Sequence, residues 1–294
     1  MKYEPFNVTS IGYNHLKENK LCQDHSYKYI SNDKVIIAVC DGHGGDIYLR
    51  SDKGSKYACL AFAKTMKSLS KNINIYDINE SFVEQLKIKL LCNWNELIES
   101  DFNNNLYVKN YKKFKIDYYL SSNELDKLSE EMKERITKRK SILYGTTLIG
   151  CMVINNMLFT VQIGDGLAVY LNNSNELVVP FIDSDDNVAN LTCSLCQDDA
   201  FDYLHIDIRE VDDIQSIILC TDGVINSYNS YENYLNYFIL PITNILSNDP
   251  QGRTKVRKFI HNLGKQKGTG DDVSLGVLYI NETKKSFVWL LSSI

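Results

Sequence analysis

The stretch Val35-Ile36-Ile37-Ala38-Val39-Cys40-Asp41-Gly42-His43-Gly44-Gly45 is an apolar run that stops on an acid and breaks into glycine. The run reads as a strand, and the Asp-Gly that follows is a turn at the strand's end. The same grammar recurs. Leu158–Ile163 runs into Gly164-Asp165-Gly166, and Ile217–Cys220 runs into Thr221-Asp222-Gly223. Gly268-Thr269-Gly270-Asp271-Asp272 opens into the strand Val273-Ser274-Leu275-Gly276-Val277. Eight of the 15 glycines lie in these four places, so this scarce residue is concentrated where strands meet acids.

An Asp at a strand edge has a rigid base and a short side chain, so its carboxylate is well aimed. The glycine beside it lets the backbone turn, approach a ligand closely and lend a carbonyl. Several such carboxylates converging would repel one another and resist ionisation unless a cation lay between them. Oxygen-only ligands suit hard divalent ions, Mg²⁺ or Mn²⁺, and not zinc. A single Asp-Gly is an ordinary turn dipeptide. Four of them at strand edges, one followed by His43, argue for a shared site.

Outward from these motifs, short apolar runs come in groups joined by tight turns. Ser26–Ile30 and Val35–Cys40 flank Ser31-Asn32-Asp33-Lys34, and Thr147–Ile154 and Met157–Ile163 flank Asn155-Asn156, a pair that tolerates the positive φ of a hairpin. Leu167–Leu171 turns through Asn172–Asn175 into Leu177–Val179, and further strands are expected at His205–Arg209, Ile214–Cys220, Val273–Ile280 and Phe287–Leu291. Helices are expected over Lys53–Leu69, Ser81–Glu99, Glu124–Lys140, Tyr231–Leu246 (bent or interrupted by Pro241) and Thr254–Lys265. Hairpins make antiparallel sheet. Strands in bunches with helices segregated from them give an α+β fold of packed antiparallel sheets covered by helices. No repeat or low-complexity linker divides the chain, so one domain over residues 1–294 is expected.

The 294 residues are 44% hydrophobic and 23% charged, which excludes disordered, collagenous and disulfide-scaffold classes. A formal charge of −5 argues against a partner made of nucleic acid or anionic membrane. No run reaches transmembrane length and Met1–Ser10 has no signal-peptide character. The eight cysteines mostly lie in apolar stretches and read as reduced thiols of a cytoplasmic protein. Cys193 and Cys196 form a lone CxxC, without the second pair a zinc site needs.

Taken in order, Asp41-Gly42-His43-Gly44-Gly45, Gly145-Thr146-Thr147, Gly164-Asp165-Gly166, Thr221-Asp222-Gly223 and Gly270-Asp271-Asp272-Val273-Ser274 resemble the protein phosphatase 2C family. Leu21-Cys22-Gln23-Asp24, preceded by Gly12 and His15, looks like the first motif of its bacterial branch, and Asn190-Leu191-Thr192 resembles a flap signature of that branch. The resemblance implies a four-layer α-β-β-α sandwich and a metal-dependent phosphoserine/phosphothreonine phosphatase in which a metal-bridging water attacks phosphorus. It implies two Mn²⁺ or Mg²⁺ ions, with a third held more weakly. Asp41 then matches the carboxylate bridging both metals, and Gly42 the residue lending a carbonyl. Asp222 and Asp271 match ligands of the first metal, Asp24 an outer acid of the second, and Asp165 the ligand of the third. His43 matches the general acid. A phosphoprotein substrate and a cognate serine/threonine kinase are the implied partners, and residues 180–204 the implied flap.

The sequence departs from the family pattern in three places. Gln23 stands where Glu is usual, Asn19 where an Arg normally binds phosphate, and Asp272 where Asn is usual. Arg50, Lys20 and His15 are candidate substitutes for the missing Arg. The alternative reading these departures allow is a pseudophosphatase that binds a phosphoprotein or partner without turnover.

Overall fold

The structure is a computed structural model, and it describes residues 2–71, 78–104, 126–181, 193–265 and 269–281. Two five-stranded antiparallel sheets form its centre. One has β2 (His25–Ile30), β3 (Lys34–Cys40), β4 (Leu148–Ile154), β5 (Met157–Ile163) and β8 (His205–Glu210) in that spatial order. The other runs β1 (Tyr3–Ser10), β10 (Val273–Ile280), β9 (Ile214–Cys220), β6 (Leu167–Asn172), β7 (Leu177–Val178). The fold is α+β, as expected.

Three separate apolar cores make the layering explicit. Val35, Ile37, Val39, Ile149, Ile217, Leu219 and Leu278 pack between the sheets. Ile36, Ala38, Met152, Phe159 and Val161 point the other way, onto α2 (Ser51–Leu69) and α3 (Glu80–Asn104). On the opposite side Phe6, Val8, Ile218, Leu275 and Val277 meet α7 (Leu240–Asn248) and α8 (Gly252–Lys265). Strands buried on both faces lose the polar alternation of a half-exposed strand, which is why Val35–Cys40 of β3 and Ile217–Cys220 of β9 read as unbroken apolar runs.

The hairpin turns are as expected: Asn155 and Asn156 have φ of 47° and 68°, and Asn175 63°. The expected strand Phe287–Leu291 lies outside the described residues. The opening residues instead form β1, which Pro5 conceals by breaking a strand-like pattern. Among the described residues β1 pairs with β10 alone, at the edge of its sheet, so the missing N–H of Pro5 costs little.

Other expectations need adjustment. Before α2 there is an unforeseen short helix, α1 (Tyr13–Glu18). The inward face of α2 includes Ser55, Ala58, Cys59, Ala61, Phe62 and Met66; small residues let the helix lie close to the sheet. α3 extends the expected helix to Asn104 and buries Leu86, Leu90, Trp94, Ile98 and Phe102. Within 124–140, α4 spans Glu130–Lys138, capped by the Ser129 side chain, and a 3₁₀ turn over Lys140–Tyr144 follows. After a single turn at Asp222–Ile225 (α5), α6 (Tyr231–Tyr234) widens into a π turn at Leu235–Ile239 before α7. Pro241 is thereby placed in the first turn of α7, where its lack of an N–H matters least, so it interrupts the ladder without ending the helix.

Candidate metal centre

Antiparallel pairing brings the acid-bearing strand ends to one end of the sandwich. His25 pairs with Cys40, Leu148 with Ile163, and Cys220 with both Leu167 and Leu275. Asp24, Asp41, Asp165, Asp222 and Asp271 therefore all emerge there, each a residue or two beyond a paired strand. Carboxylate oxygens of Asp41, Asp165 and Asp222 lie within 4.8 Å of one another. Asp24 and Asp271 flank that group, close enough for their charges to act on Asp41.

The backbone under Asp41 is held firmly. Its carbonyl accepts from Thr147 N at 2.8 Å and Thr146 Oγ1 at 2.7 Å, while its N–H donates to Thr147 Oγ1 at 3.0 Å. Gly42 bridges to Thr146. A Cβ there would stand 2.6 Å from the Gln23 carbonyl and 2.7 Å from that of Ser51, so only glycine lets these three segments meet. Thr221 ties the two sheets: its hydroxyl donates to Asp24 Oδ2 at 2.8 Å and accepts from Ser274 N at 2.9 Å.

The electrostatics are those of crowded, desolvated acids. Burial, then the charges of Asp24, Asp222 and Asp271, push Asp41 well above the usual carboxylate range. Burial and Asp272 do the same to Asp24, against the Thr221 hydrogen bond. Asp222 is pushed up to about 6 by burial, Asp165 and Asp271, and Asp271 is raised chiefly by burial. Asp272 goes the other way. Burial would raise it, but His15 and the N–H groups of Gly12 and Gln23 outweigh that and hold it low. Those contacts are short: Gly12 N to Oδ1 at 2.6 Å, Gln23 N to Oδ2 at 2.6 Å and His15 Nδ1 to Oδ2 at 2.9 Å. Burial lowers the His43 pKa, with Asp165 opposing.

Three buried acceptor oxygens in this region have no hydrogen-bond partner among the described residues: Asp24 Oδ1, Asp222 Oδ1 and Gln23 Oε1. An orphaned buried oxygen is costly. Orphaned oxygens among carboxylates whose ionisation is suppressed are what a hard cation would satisfy. The residues present thus fit one or more divalent ions.

The candidate phosphate ligands are placed differently. Arg50 is turned inward, its side chain only 5% exposed: Nη1 donates to the Tyr144 hydroxyl at 3.1 Å, and the guanidinium lies 5.7 Å from the Phe102 ring centre. A guanidinium held against aromatic rings in this way is built into the packing of α2 on α3. Lys20 pairs on the surface with Glu18 at 2.7 Å, and His15 is engaged by Asp272. Cys40 and Cys59 are buried with sulfurs 3.3 Å apart, as packing residues. The sequence reading missed the threonine tethers, Ser51 and Tyr48. Hydroxyls at Gly145-Thr146-Thr147 were visible as a motif, but nothing in their spacing assigned the Asp41 carbonyl as their target. Asn190-Leu191-Thr192 lies outside the described residues.

The comparisons with known proteins agree with this architecture. No curated protein matches the sequence. Among solved structures, PppA from Pseudomonas aeruginosa, described as a regulatory component of the T6SS, aligns at TM-score 0.54 and 16% identity over 95% of this chain and 98% of that one. The catalytic domain of the serine/threonine phosphatase PstP, solved with two manganese ions, aligns at TM-score 0.53 and 15% identity, covering 94% and 97%. Stp1 from Staphylococcus aureus aligns at 0.51 and 13%, covering 95% and 96%. At these identities the likeness speaks for the fold. The family model described as protein phosphatase 2C matches residues 11–261, a span that carries every acid of the centre except Asp271 and Asp272. The chain belongs to the protein phosphatase 2C family.

Proposed function

We propose that this protein, as one catalytic domain, hydrolyses phosphoserine and phosphothreonine esters of proteins with two divalent cations, Mn²⁺ or Mg²⁺, and a third bound more weakly. The observation that carries the reading is the convergence of Asp41, Asp165 and Asp222 within 4.8 Å, with His43 two residues from Asp41 on the same turn. Cations bound there would activate water for in-line attack on phosphorus and neutralise the phosphate's charge.

Asp41 lies between Asp24 and Asp222 and is the residue suited to bridge two ions, with the Gly42 carbonyl beside it. Asp222 and Asp271 would complete the first site, Asp24 would act from outside the second, and Asp165 would hold the third ion with Asp222. Gln23 offers a neutral oxygen where the family usually has a carboxylate, which weakens the hold on one ion without removing it. His43 supplies the proton that the departing serine or threonine oxygen requires. Five carboxylates converging at one end of the sandwich support turnover over binding alone.

Residues 193–204, the later part of the candidate flap, dock on the centre's edge. Ser194 Oγ donates to the Thr146 carbonyl at 3.1 Å and accepts from Thr146 N at 3.2 Å; Leu195 N donates to the same carbonyl at 3.0 Å. A segment anchored there is placed to select among phosphoproteins, including those of a partner kinase.

Purified protein should release phosphate from a phosphoserine peptide with Mn²⁺ or Mg²⁺ and not in EDTA, and Asp222→Asn should abolish that release. Equal rates in EDTA would overturn the assignment.

A further inference from the structure

Between the acid centre and α2, the chain makes a tight turn over Gly45–Tyr48, with Tyr48 N donating to the Gly45 carbonyl at 2.9 Å. Ser51 N then donates to the Tyr48 carbonyl at 3.1 Å, so the Tyr48 backbone is pinned between the turn and the first residue of α2. Its ring is equally confined. The Cδ2–Cε2 edge lies against Gly45, where a Cβ would stand 3.2 and 3.4 Å away. The opposite edge fills the space at Gly145, where a Cβ would come within 2.4 Å of Cδ1 and 2.7 Å of Cε1. The slot exists because both glycines lack a side chain.

His43 closes this arrangement. Its ring meets the Tyr48 ring edge-on, with centroids 4.9 Å apart and planes at 64°. The His43 backbone N–H donates to the Gly145 carbonyl at 3.1 Å, and the ring's Cδ2 would be 2.7 Å from a Cβ at Gly145. Tyr48 and Gly145 thus both bear on one imidazole. Edge-to-face aromatic contacts add orientation beyond simple burial, and a side chain whose rotamer is locked by packing holds a reacting group in place.

We propose that Tyr48, seated between Gly45 and Gly145, is a positioning residue that orients the His43 imidazole for proton donation to an alkoxide leaving group. The proposal rests on the general-acid role assigned to His43 above. In the step concerned, a bond forms between water oxygen and phosphorus while the bond from phosphorus to the serine oxygen breaks. The electron pair of the broken bond goes to that oxygen, which takes the imidazole proton; the attacking water's proton is released, and solvent reprotonates His43. A serine alkoxide is strongly basic and needs the proton in the transition state. A p-nitrophenolate is weakly basic and leaves without it.

The test compares a phosphoserine peptide with p-nitrophenyl phosphate in saturating Mn²⁺, for Tyr48→Leu, Tyr48→Phe, Gly145→Ala and His43→Gln. Tyr48→Leu should lower kcat on the peptide by about 10- to 100-fold with little change in KM, and should lose far less on the aryl ester. Tyr48→Phe keeps the ring and should restore the peptide rate. Gly145→Ala, which crowds the same contact, should reproduce the split if Tyr48→Leu does not fold. Equal losses on both substrates would reduce Tyr48 to a packing residue and overturn the proposal, as would wild-type rates on both. His43→Gln separates the two levels. A split in His43→Gln without one in Tyr48→Leu or Gly145→Ala refutes the positioning role alone; no split in His43→Gln removes the general-acid reading and this proposal with it.

Discussion

The side-chain amide of Gln23 donates to the backbone carbonyl of His43 at 3.2 Å and to the Ser51 hydroxyl at 2.7 Å, which leaves Oε1 buried with no partner among the described residues. The first motif is thereby fastened to the turn that carries His43, and the amide has only its acceptor end to offer. Gln23→Glu replaces those donors with a second acceptor against the His43 carbonyl and adds charge near Asp24 and Asp272. In EDTA the variant should lose about 1–3 kcal/mol of stability. Saturating Mn²⁺ should raise its melting temperature by more than it raises that of the wild type. Equal metal-induced shifts would show that this side chain does not reach the cations.

Asp222→Asn should separate stability from activity. Removing one of several mutually repelling buried carboxylates relieves repulsion, so the metal-free variant should melt higher than metal-free wild type, by a few degrees for about 1 kcal/mol. Mn²⁺ should then add less stability to the variant than to the wild type. Calorimetry with and without Mn²⁺ tests both statements, and a lower metal-free melting point would contradict them.

The pH dependence of the metal-free protein has a definite sign. The folded state holds the Asp222 proton up to about 6, whereas an ordinary Asp releases it near 3.8. Between those values the folded chain binds more protons than the unfolded chain, so stability falls as pH rises through the window. Melting temperatures in EDTA should drop from about pH 4 to pH 6, and added Mn²⁺ should stabilise more at neutral pH than in mild acid. A metal effect independent of pH would show that the cations do not replace these protons.

Asp101 should behave in the opposite sense. It accepts from Tyr144 at 2.7 Å, Tyr57 at 2.8 Å and Lys53 at 3.2 Å, and lies 3.9 Å from Arg50. Burial would raise its pKa, but these partners outweigh burial and hold it below the usual value. Its stabilisation is therefore present above the ordinary Asp pKa and is lost as pH falls through the lower folded one. Asp101→Ala strips Arg50 and two tyrosines of a shared partner and should cost about 2–4 kcal/mol in urea unfolding at neutral pH. Arg50→Met should likewise destabilise, while KM for a phosphopeptide stays near wild type. A large rise in KM would return Arg50 to the phosphate-binding role.

Much of the fold was legible because the central strands are buried on both faces. Val35–Cys40 and Ile217–Cys220 have no polar residue to blur them, and the Asn155-Asn156 turn carries its own backbone preference. β1 was not legible. Its pattern is broken by Pro5, and only its place at a sheet edge makes that residue harmless. The interior face of α2 was less legible, because close approach to the sheet is made by the small residues Ala58, Cys59 and Ala61. Arg50 looked like a spare cation because its partners, Tyr144 and Asp101, are distant along the chain.

The sequence by itself pointed to the chemistry of the centre: four carboxylates at strand ends, each beside a glycine and one two residues from a histidine, suit hard cations wherever the strands happen to run. It also determined the antiparallel pairing within the hairpins β2–β3, β4–β5 and β6–β7, because tight turns permit no other. Only the tertiary structure decided which acids meet, since Asp41, Asp165 and Asp222 come within 4.8 Å through the registers of two different sheets. The same holds for the supports. Thr146 and Thr147 hold Asp41, Thr221 joins Asp24 to Ser274, and Tyr48 reaches His43 through the empty space of Gly145. Hydrogen bonds and close packing act over a few ångströms between residues far apart in sequence, and one-dimensional spacing carries no record of them.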